Sequence, residues 1–338
     1  MEAVAEAVNP AIGDKIMTKY FVAGGAGFIG SHLSTNLLAD TTSTVVIFDN
    51  FSSGREWHIA AIRNDPRLTV VRGEISDGEL LSRSMTGCDT VFHFASNPDI
   101  AKAVTQPDVD FWEGTYLTQQ IVEAMRKTTP RTLIYASGSG IYGDVGRLEV
   151  KENHAPLVPI STYGASKLAG EALIASYCHM FDFKAAVFRF ANVIGPHQTH
   201  GVVYDFVRRL RKDPSRLAIL GDGTQSKSYI HVSDVVSAMR LIEMKHISRF
   251  DAFNVATLDY LTVKDIVDMT LKAMCLEKTE RCFGTQSRGW KGDIPIVRFD
   301  TAKIRALGWK NVYTCREAMA KTIDDIIADE DAGRFDIR

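Results

Sequence analysis

Short, mostly apolar runs recur along the chain, and most are followed by a stretch whose apolar positions return every three or four residues. The runs at 20–23, 44–48, 68–71, 90–95, 132–136 and 185–190 have the length and the β-branched and aromatic content of buried strands. Between them, the patterns at 31–38, 77–85, 110–127 and 163–179 predict helices. In 110–127 the apolar positions are Phe111, Tyr116, Leu117, Ile121, Val122 and Met125. Strand and helix in alternation imply a parallel sheet covered on both faces. Beyond Gly195 the pattern loosens into loops rich in Gly and His, with helical periodicity at 202–212, 232–244 and 263–276.

This order predicts an α/β fold. A Rossmann-type doubly wound parallel sheet would occupy mainly residues 19–195, and a smaller C-terminal substrate-binding α/β lobe mainly 196–338, with some of its strands returning to the first sheet. Residues 1–18, which carry Pro10 and Gly13, read as an N-terminal extension. Ligands of such sheets bind beyond the carboxyl ends of the strands, so Ala95, Ser137 and Asn192 are expected to face one crevice.

The first strand leads into Gly24-Gly25-Ala26-Gly27-Phe28-Ile29-Gly30, a glycine-rich turn that opens a helix. Gly24 permits the turn, Gly27 lets backbone approach a pyrophosphate, and Gly30 allows the helix to pack closely on the strand. Phosphates would sit at the helix N-terminus, where unpaired N–H groups favour anions. Asp49 ends the second strand nineteen residues after Gly30, where a carboxylate can hold a ribose 2′-hydroxyl and repel a 2′-phosphate. NAD is therefore expected over NADP, a preference that nearby Arg55 weakens slightly.

Composition narrows the partners. At 338 residues the chain can bury a large core, and a net charge of −2 gives no electrostatic case for nucleic acid or an anionic membrane. No run of about eighteen apolar residues is present. The five cysteines are scattered, with no CxxC and no metal spacing, which suits a reducing cytoplasm and predicts no metal. Small molecules and a second copy of the chain are the expected partners.

Tyr163-Gly164-Ala165-Ser166-Lys167 sets a Tyr and a Lys one helical turn apart. Positions i and i+4 share a helix face, so both side chains can converge on one ribose and one reacting hydroxyl. A free phenol titrates near pH 10, too high for a base at neutral pH, and an adjacent ammonium favours its anion. Lys167 is expected to depress the Tyr163 pKa and so make Tyr163 an acid/base.

With the glycine loop, Asp49, Ser137-Gly138-Ser139-Gly140-Ile141-Tyr142-Gly143 and the YGASK helix in order, the chain resembles the extended short-chain dehydrogenase/reductase family. It is most similar to nucleotide-sugar epimerases of the UDP-glucose and UDP-glucuronate 4-epimerase kind. Further matches are 189–196, 221–232 and 288–295, and the resemblance covers roughly 19–309. It implies an NAD-dependent epimerase that acts at C4 of a UDP-sugar through a transient 4-keto intermediate, the NAD being regenerated within each turnover. The implied NAD contacts are Gly24, Gly27, Phe28, Ile29, Gly30, Asp49, Asn50, Glu74, Ile75, Phe94, Ala95, Tyr163, Lys167 and Phe190, with Glu74 beside adenine. The implied substrate contacts are Asn97, Ser139, Tyr163, Asn192, Lys227 and Arg288, the last three near the diphosphate. Lys227 stands where many relatives carry Arg, and Ser228 where they carry Asp. A homodimer formed through the helices at 110–127 and 163–179 is implied as well.

The catalytic hydroxyl departs from the family pattern. A Ser or Thr is expected four residues before the Tyr of the Tyr142-Gly143 pair, and that position is Gly138. Ser137 or Ser139 would supply the hydroxyl, or a water would serve; Ser139 is preferred because it follows the strand and is freer to turn. Strand parity alone would put Ser137 and Ser139 on one face, opposite Gly138. Related 4,6-dehydratases place an Asp-Glu pair just after the hydroxyl residue, since eliminating water needs an added acid and base. Ser139 and Gly140 stand in those places, which favours oxidation and re-reduction over elimination.

The segment 96–100 is expected either to border nicotinamide and sugar or to serve as a turn. For a uronate carboxylate the possible partners are Ser137, Ser139, Thr199 and Arg189. Asn192 has a bland reading as a turn cap and Lys227 as a solvated charge, and His197 and His200 have no third ligand at metal spacing. The competing activity is an NAD(P)-dependent nucleotide-sugar reductase or dehydrogenase with net redox turnover. A dinucleotide sensor or RNA-associated protein on the same fold is a second rival, opposed by Tyr163, Lys167 and the absence of a basic patch.

Overall fold

The computed structural model of the chain describes residues 17–97, 100–245 and 247–336; most of the N-terminal extension, together with Pro98 and Asp99 of the 96–100 segment, lies outside the described residues. The first half runs β1 (Thr18–Ala23), α1 (Phe28–Leu38), β2 (Ser43–Asp49), β3 (Leu68–Arg72), α2 (Gly78–Met85), β4 (Thr90–His93), α3 (Leu117–Lys127), β5 (Thr132–Gly138), the short β6 (Glu149–Val150), α4 (Thr162–Phe181) and β7 (Lys184–Phe190). There follow β8 (Asn192–Ile194), α5 (Val202–Lys212), β9 (Arg216–Ile219), β10 (Ser226–Lys227), β11 (Tyr229–His231), α6 (Val232–Met244) and β12 (Phe250–Val255). The chain closes with β13 (Leu261–Thr262), α7 (Val263–Ala273), β14 (Glu280–Phe283), β15 (Arg298–Phe299), α8 (Ala302–Ala306) and α9 (Cys315–Asp331).

Seven strands form the main sheet in the order β12-β7-β5-β4-β1-β2-β3, all parallel. The apolar runs of the inner strands are buried on both faces, as parallel strands between helical layers must be, while the edge strand β3 is only half-buried. Chain direction across the sheet reverses between β1 and β4, so the loops that follow these two strands diverge and leave a crevice at their carboxyl ends. β12 belongs to this sheet although it lies far beyond residue 195 in sequence. A separate apolar cluster of α5, α7, α9, β9 and β11 forms the core of the second lobe, which stands over the same strand ends.

Three predicted elements differ. The strand at 90–95 keeps its regular ladder only as far as His93; Phe94 and Ala95 both donate to the single Ala23 carbonyl and line the crevice. The helix at 263–276 ends at Ala273, and Cys275 takes a left-handed φ of 57°. The helix expected over 110–127 opens instead with a π turn, Phe111–Tyr116, before α3. The apolar spacing there fits either winding. No helix among the described residues is long and apolar enough to cross a membrane.

Candidate active site

A cleft of about 1090 Å³ opens where the sheet order reverses, between the main sheet and the second lobe. Gly24 follows β1 at φ +77°, and a Cβ there would stand 2.8 Å from the backbone nitrogen of Ala95, just past β4. A Cβ on Gly30 would strike the carbonyl of Gly24, so these two glycines set how closely α1 can approach the sheet. Gly27 takes the cap position of α1 in extended backbone, with no side chain capping the first turn. The N–H groups of that turn therefore face the cleft, an arrangement that fits a dinucleotide pyrophosphate.

The remaining expected NAD contacts lie around this opening. Phe28, Ile29, Asp49, Asn50, Glu74, Ile75, Phe94, Ala95 and Phe190 all line the cleft. Asp49 is nearly buried, and its Oδ2 accepts from the Ala26 backbone N–H at 2.9 Å while Oδ1 accepts from Phe51 at 2.8 Å. The carboxylate thus fixes the glycine loop as well as offering its remaining lone pairs to a ribose. Burial raises its pKa, and the two backbone donors and Arg72 oppose that shift. Asn50 donates to Glu74 at 3.1 Å and orients it at the rim.

Tyr163 and Lys167 reach the cleft from the first turns of α4, whose N-cap is Ser161 with its hydroxyl accepting from Gly164 N–H at 3.1 Å. A Cβ on Gly164 would meet the Gly140 carbonyl at 2.5 Å, so α4 sits directly against the turn that carries Ser139 and Gly140. Lys167 Nζ donates to the Ala136 carbonyl at 2.9 Å and lies 5.5 Å from the centre of the Tyr163 ring. Burial lowers the Lys167 pKa to about 8, and burial together with the Asp110 charge raises that of Tyr163 to about 12. Tyr163 thus stands above its ordinary value where the sequence predicts a lowering by Lys167, because burial and the Asp110 charge both disfavour the phenolate.

The two serines part company. Ser137, still in β5, donates its hydroxyl to Glu171 Oε1 of α4 at 2.6 Å; Glu171 also receives two bonds from buried Arg189, at 3.1 and 2.7 Å. Arg189 further donates to the Tyr142 hydroxyl at 2.9 Å, which closes a buried polar network. Ser139 has left the strand for a 3₁₀ turn and lines the cleft, so the parity argument does not reach it. Gly138 lines the cleft too, and a Cβ added there would meet nothing within 4 Å.

On the lobe side, Asn192 and Lys227 line the cleft. Lys227 is not a solvated charge: it pairs with nearly buried Asp293 at 2.6 Å. Asp293 also accepts from the Gly289 backbone N–H at 3.0 Å. Arg288 is turned to Asp144 at 2.5 Å and to the Asp293 carbonyl. Asn97 is 2 % exposed and donates its amide to Asp110 at 3.0 Å. Arg189, named above as a carboxylate partner, is buried in its pair with Glu171. His197 stacks between His32 and His58, at ring separations of 4.7 and 4.8 Å. Among the described residues no group of His, Cys, Asp and Glu could hold a metal ion.

Two residues of the site, Glu171 and Asp110, carried no sequence signal. Each is an acid on a helical pattern, where a solvated face is the ordinary reading.

Known proteins resemble this arrangement closely. The UDP-glucose 4-epimerase of Mycolicibacterium smegmatis is 29 % identical over 315 residues, covering 90 % of this chain and 96 % of that protein. A dTDP-glucose 4,6-dehydratase of Streptomyces antibioticus is 28 % identical over 320 residues, covering 90 % of each. A solved UDP-galactose 4-epimerase is 35 % identical, superposes with a TM-score of 0.81, and matches 92 % of this chain and 99 % of its own. Residues 20–256 match the model of the NAD dependent epimerase/dehydratase family, and with the glycine loop, Asp49 and the Tyr163–Lys167 face in place, the chain belongs to that family.

Proposed function

We propose that this protein epimerises a UDP-sugar at C4, with NAD regenerated in each turnover. The observation that carries the reading is the composition of the turn against α4: Tyr163 and Lys167 face Ser139 and Gly140, with neither residue of an acid pair in that turn. Elimination of water needs such a pair, whereas oxidation and return of hydride need one acid/base and one cation. UDP enters the reading from the two epimerases named above.

NAD, when bound, supplies the hydride acceptor and donor. Tyr163 takes the proton of the C4 hydroxyl and later returns it, and Ser139 hydrogen-bonds that hydroxyl. Lys167 holds a ribose and stabilises the phenolate. A phenol pushed up to about 12 returns its proton readily, so abstraction is the costly half of the cycle and the ammonium works there. Asn192 and Lys227 orient the diphosphate, and Lys227 shares its three protons between it and Asp293. Two copies pair through the π turn with α3 and through α4, where Phe111 and Trp112 of the turn and Met180 of α4 are exposed, in a cytosolic enzyme whose cysteines are all free.

The test is incubation of the purified protein with a panel of UDP-sugars and no added cofactor. A C4 epimer is expected; change only after NADH is supplied would replace the epimerase with a net reductase. Tyr163→Phe should lower kcat by about 10³-fold with bound NAD unchanged. Full turnover by that variant would remove Tyr163 from the chemistry.

A further inference from the structure

Asp110 is 1 % exposed and carries a carboxylate that the chemistry described so far does not use. Its Oδ1 accepts from Asn97 Nδ2 at 3.0 Å and its Oδ2 from Thr162 Oγ1 at 2.7 Å. These partners come from different segments of the chain. Asn97 lies in the segment that leaves β4, and Thr162 opens α4 immediately before Tyr163. Asp110 itself immediately precedes the π turn at Phe111–Tyr116, and its side chain is not spent on capping that turn. That turn packs tightly on α4, since a Cβ on Gly114 would stand 2.7 Å from Ser166 Oγ. One side chain therefore ties three segments together beside the reacting groups. A buried charge is retained only when it is paired and hydrogen-bonded, and the two neutral donors leave it to be balanced by a nearby cation.

We propose that Asp110 is a positioning residue for the reaction inferred above: its carboxylate clasps Asn97 and Thr162, fixing the cleft-side segment against the first turn of α4 and placing a negative charge where that turn presents Tyr163. The other ionisable groups that face Tyr163 and Lys167 are neutral or paired. From β4, His93 is held neutral by burial, which pushes it down to about 3. From β5, burial raises Tyr135 and keeps it protonated. Glu171, on α4 itself, is spent on Arg189 of β7. Glu113 of the π turn faces Lys102 at 3.7 Å. Asp110 is the acid whose field raises both Tyr163 and Lys167. It opposes the burial that would strip Lys167 of its proton near neutrality.

The inference rests on the epimerase reading for its rate measurement, so a second readout is independent of turnover. Asp110→Asn keeps the shape and removes the charge; Thr162→Val removes one clasp and keeps the charge. In Asp110→Asn, kcat should fall about tenfold on the alkaline side, KM should stay within about twofold, and the alkaline limb should move about one pH unit toward acid, because lost negative charge lowers the pKa of a neighbouring ammonium. In Thr162→Val, kcat should fall with that limb in place. Tyrosinate absorbance, taken as the difference from a Tyr163→Phe background, should show Tyr163 ionising at lower pH in Asp110→Asn. If no UDP-sugar turns over but this titration still moves, the epimerase reading fails and Asp110 keeps its role. If sugars turn over and neither limb nor titration moves, Asp110 is a structural residue only and the proposal is overturned.

Discussion

Gly138 and Ser139 divide between them what one hydroxyl residue does in the family pattern. Gly138 stands in extended backbone at the end of β5, facing open space, while Ser139 reaches the cleft only because the chain has left the strand. If Ser139 bonds the sugar hydroxyl, Ser139→Ala should lower kcat by about 10²-fold with little change in KM. Gly138→Ser in that background meets no neighbour within 4 Å and has a backbone any residue can adopt, so it should recover most of the loss. Steady-state rates of the single and double variants decide this; a double variant no better than Ser139→Ala would mean that the hydroxyl must come from the turn and not from the strand end. Ser137, tied to Glu171, takes no part in this exchange.

Helix α4 presents catalytic side chains to the cleft from its first turns and an ion pair to the sheet one and two turns later. Glu171 receives Ser137 of β5 and Arg189 of β7, and Arg189 reaches Tyr142 of the 3₁₀ turn, so the pair fixes the helix to the strand ends that carry Ser139. Breaking such a pair leaves a buried charge without its partner. Glu171→Ala should cost about 3–5 kcal/mol in denaturant unfolding, and a Glu171→Leu/Arg189→Met double variant should regain much of it. An equal loss in both would show that the hydrogen bonds to Ser137 and Tyr142, and not the charges, hold the element. This network also marks the limit of what the sequence makes legible. Six of the seven strands of the main sheet stand out because short apolar runs have few alternatives, whereas β12, with Asp251 and Asn254 in its run, does not; the glycine loop, Asp49 and Tyr163–Lys167 lie at fixed spacings within single connections. The Glu171–Arg189 pair, the Asp110 clasp and the Lys227–Asp293 pair each join residues from separate elements, and the π turn shares its apolar spacing with an ordinary helix. Partners of that kind exist only once the chain has folded.

Across the whole molecule, the sheet domain and the second lobe meet at a stack of imidazoles. His32 of α1, His58 after β2 and His197 after β8 lie face to face, with His197 accepting or donating at Ser31 and His58 bonding the Ala26 carbonyl of the glycine loop at 2.8 Å. Trp57 packs edge-on against His197, and Arg334 from the C-terminal segment covers the Trp57 ring. Burial lowers all three: His32 below its ordinary value, His58 to about 4 and His197 to about 3, with like charge among the rings adding to the shift in His58 and His197. The unfolded chain binds protons near pH 6.5 where the folded stack refuses them. The stabilisation is therefore fully present above that pH and is lost as pH falls toward about 4. For His58 alone the shift corresponds to about 3 kcal/mol. Thermal unfolding followed between these limits should show Tm falling steeply, before most carboxylates titrate. His197→Gln keeps a polar side chain beside Ser31 but removes the central ring and its proton, so its Tm should depend less on pH across this window while starting lower. Parallel curves for variant and parent would place the acid sensitivity outside the stack. Because His58 of the stack holds the glycine loop through Ala26, NAD should leave the protein over the same pH interval in which Tm falls.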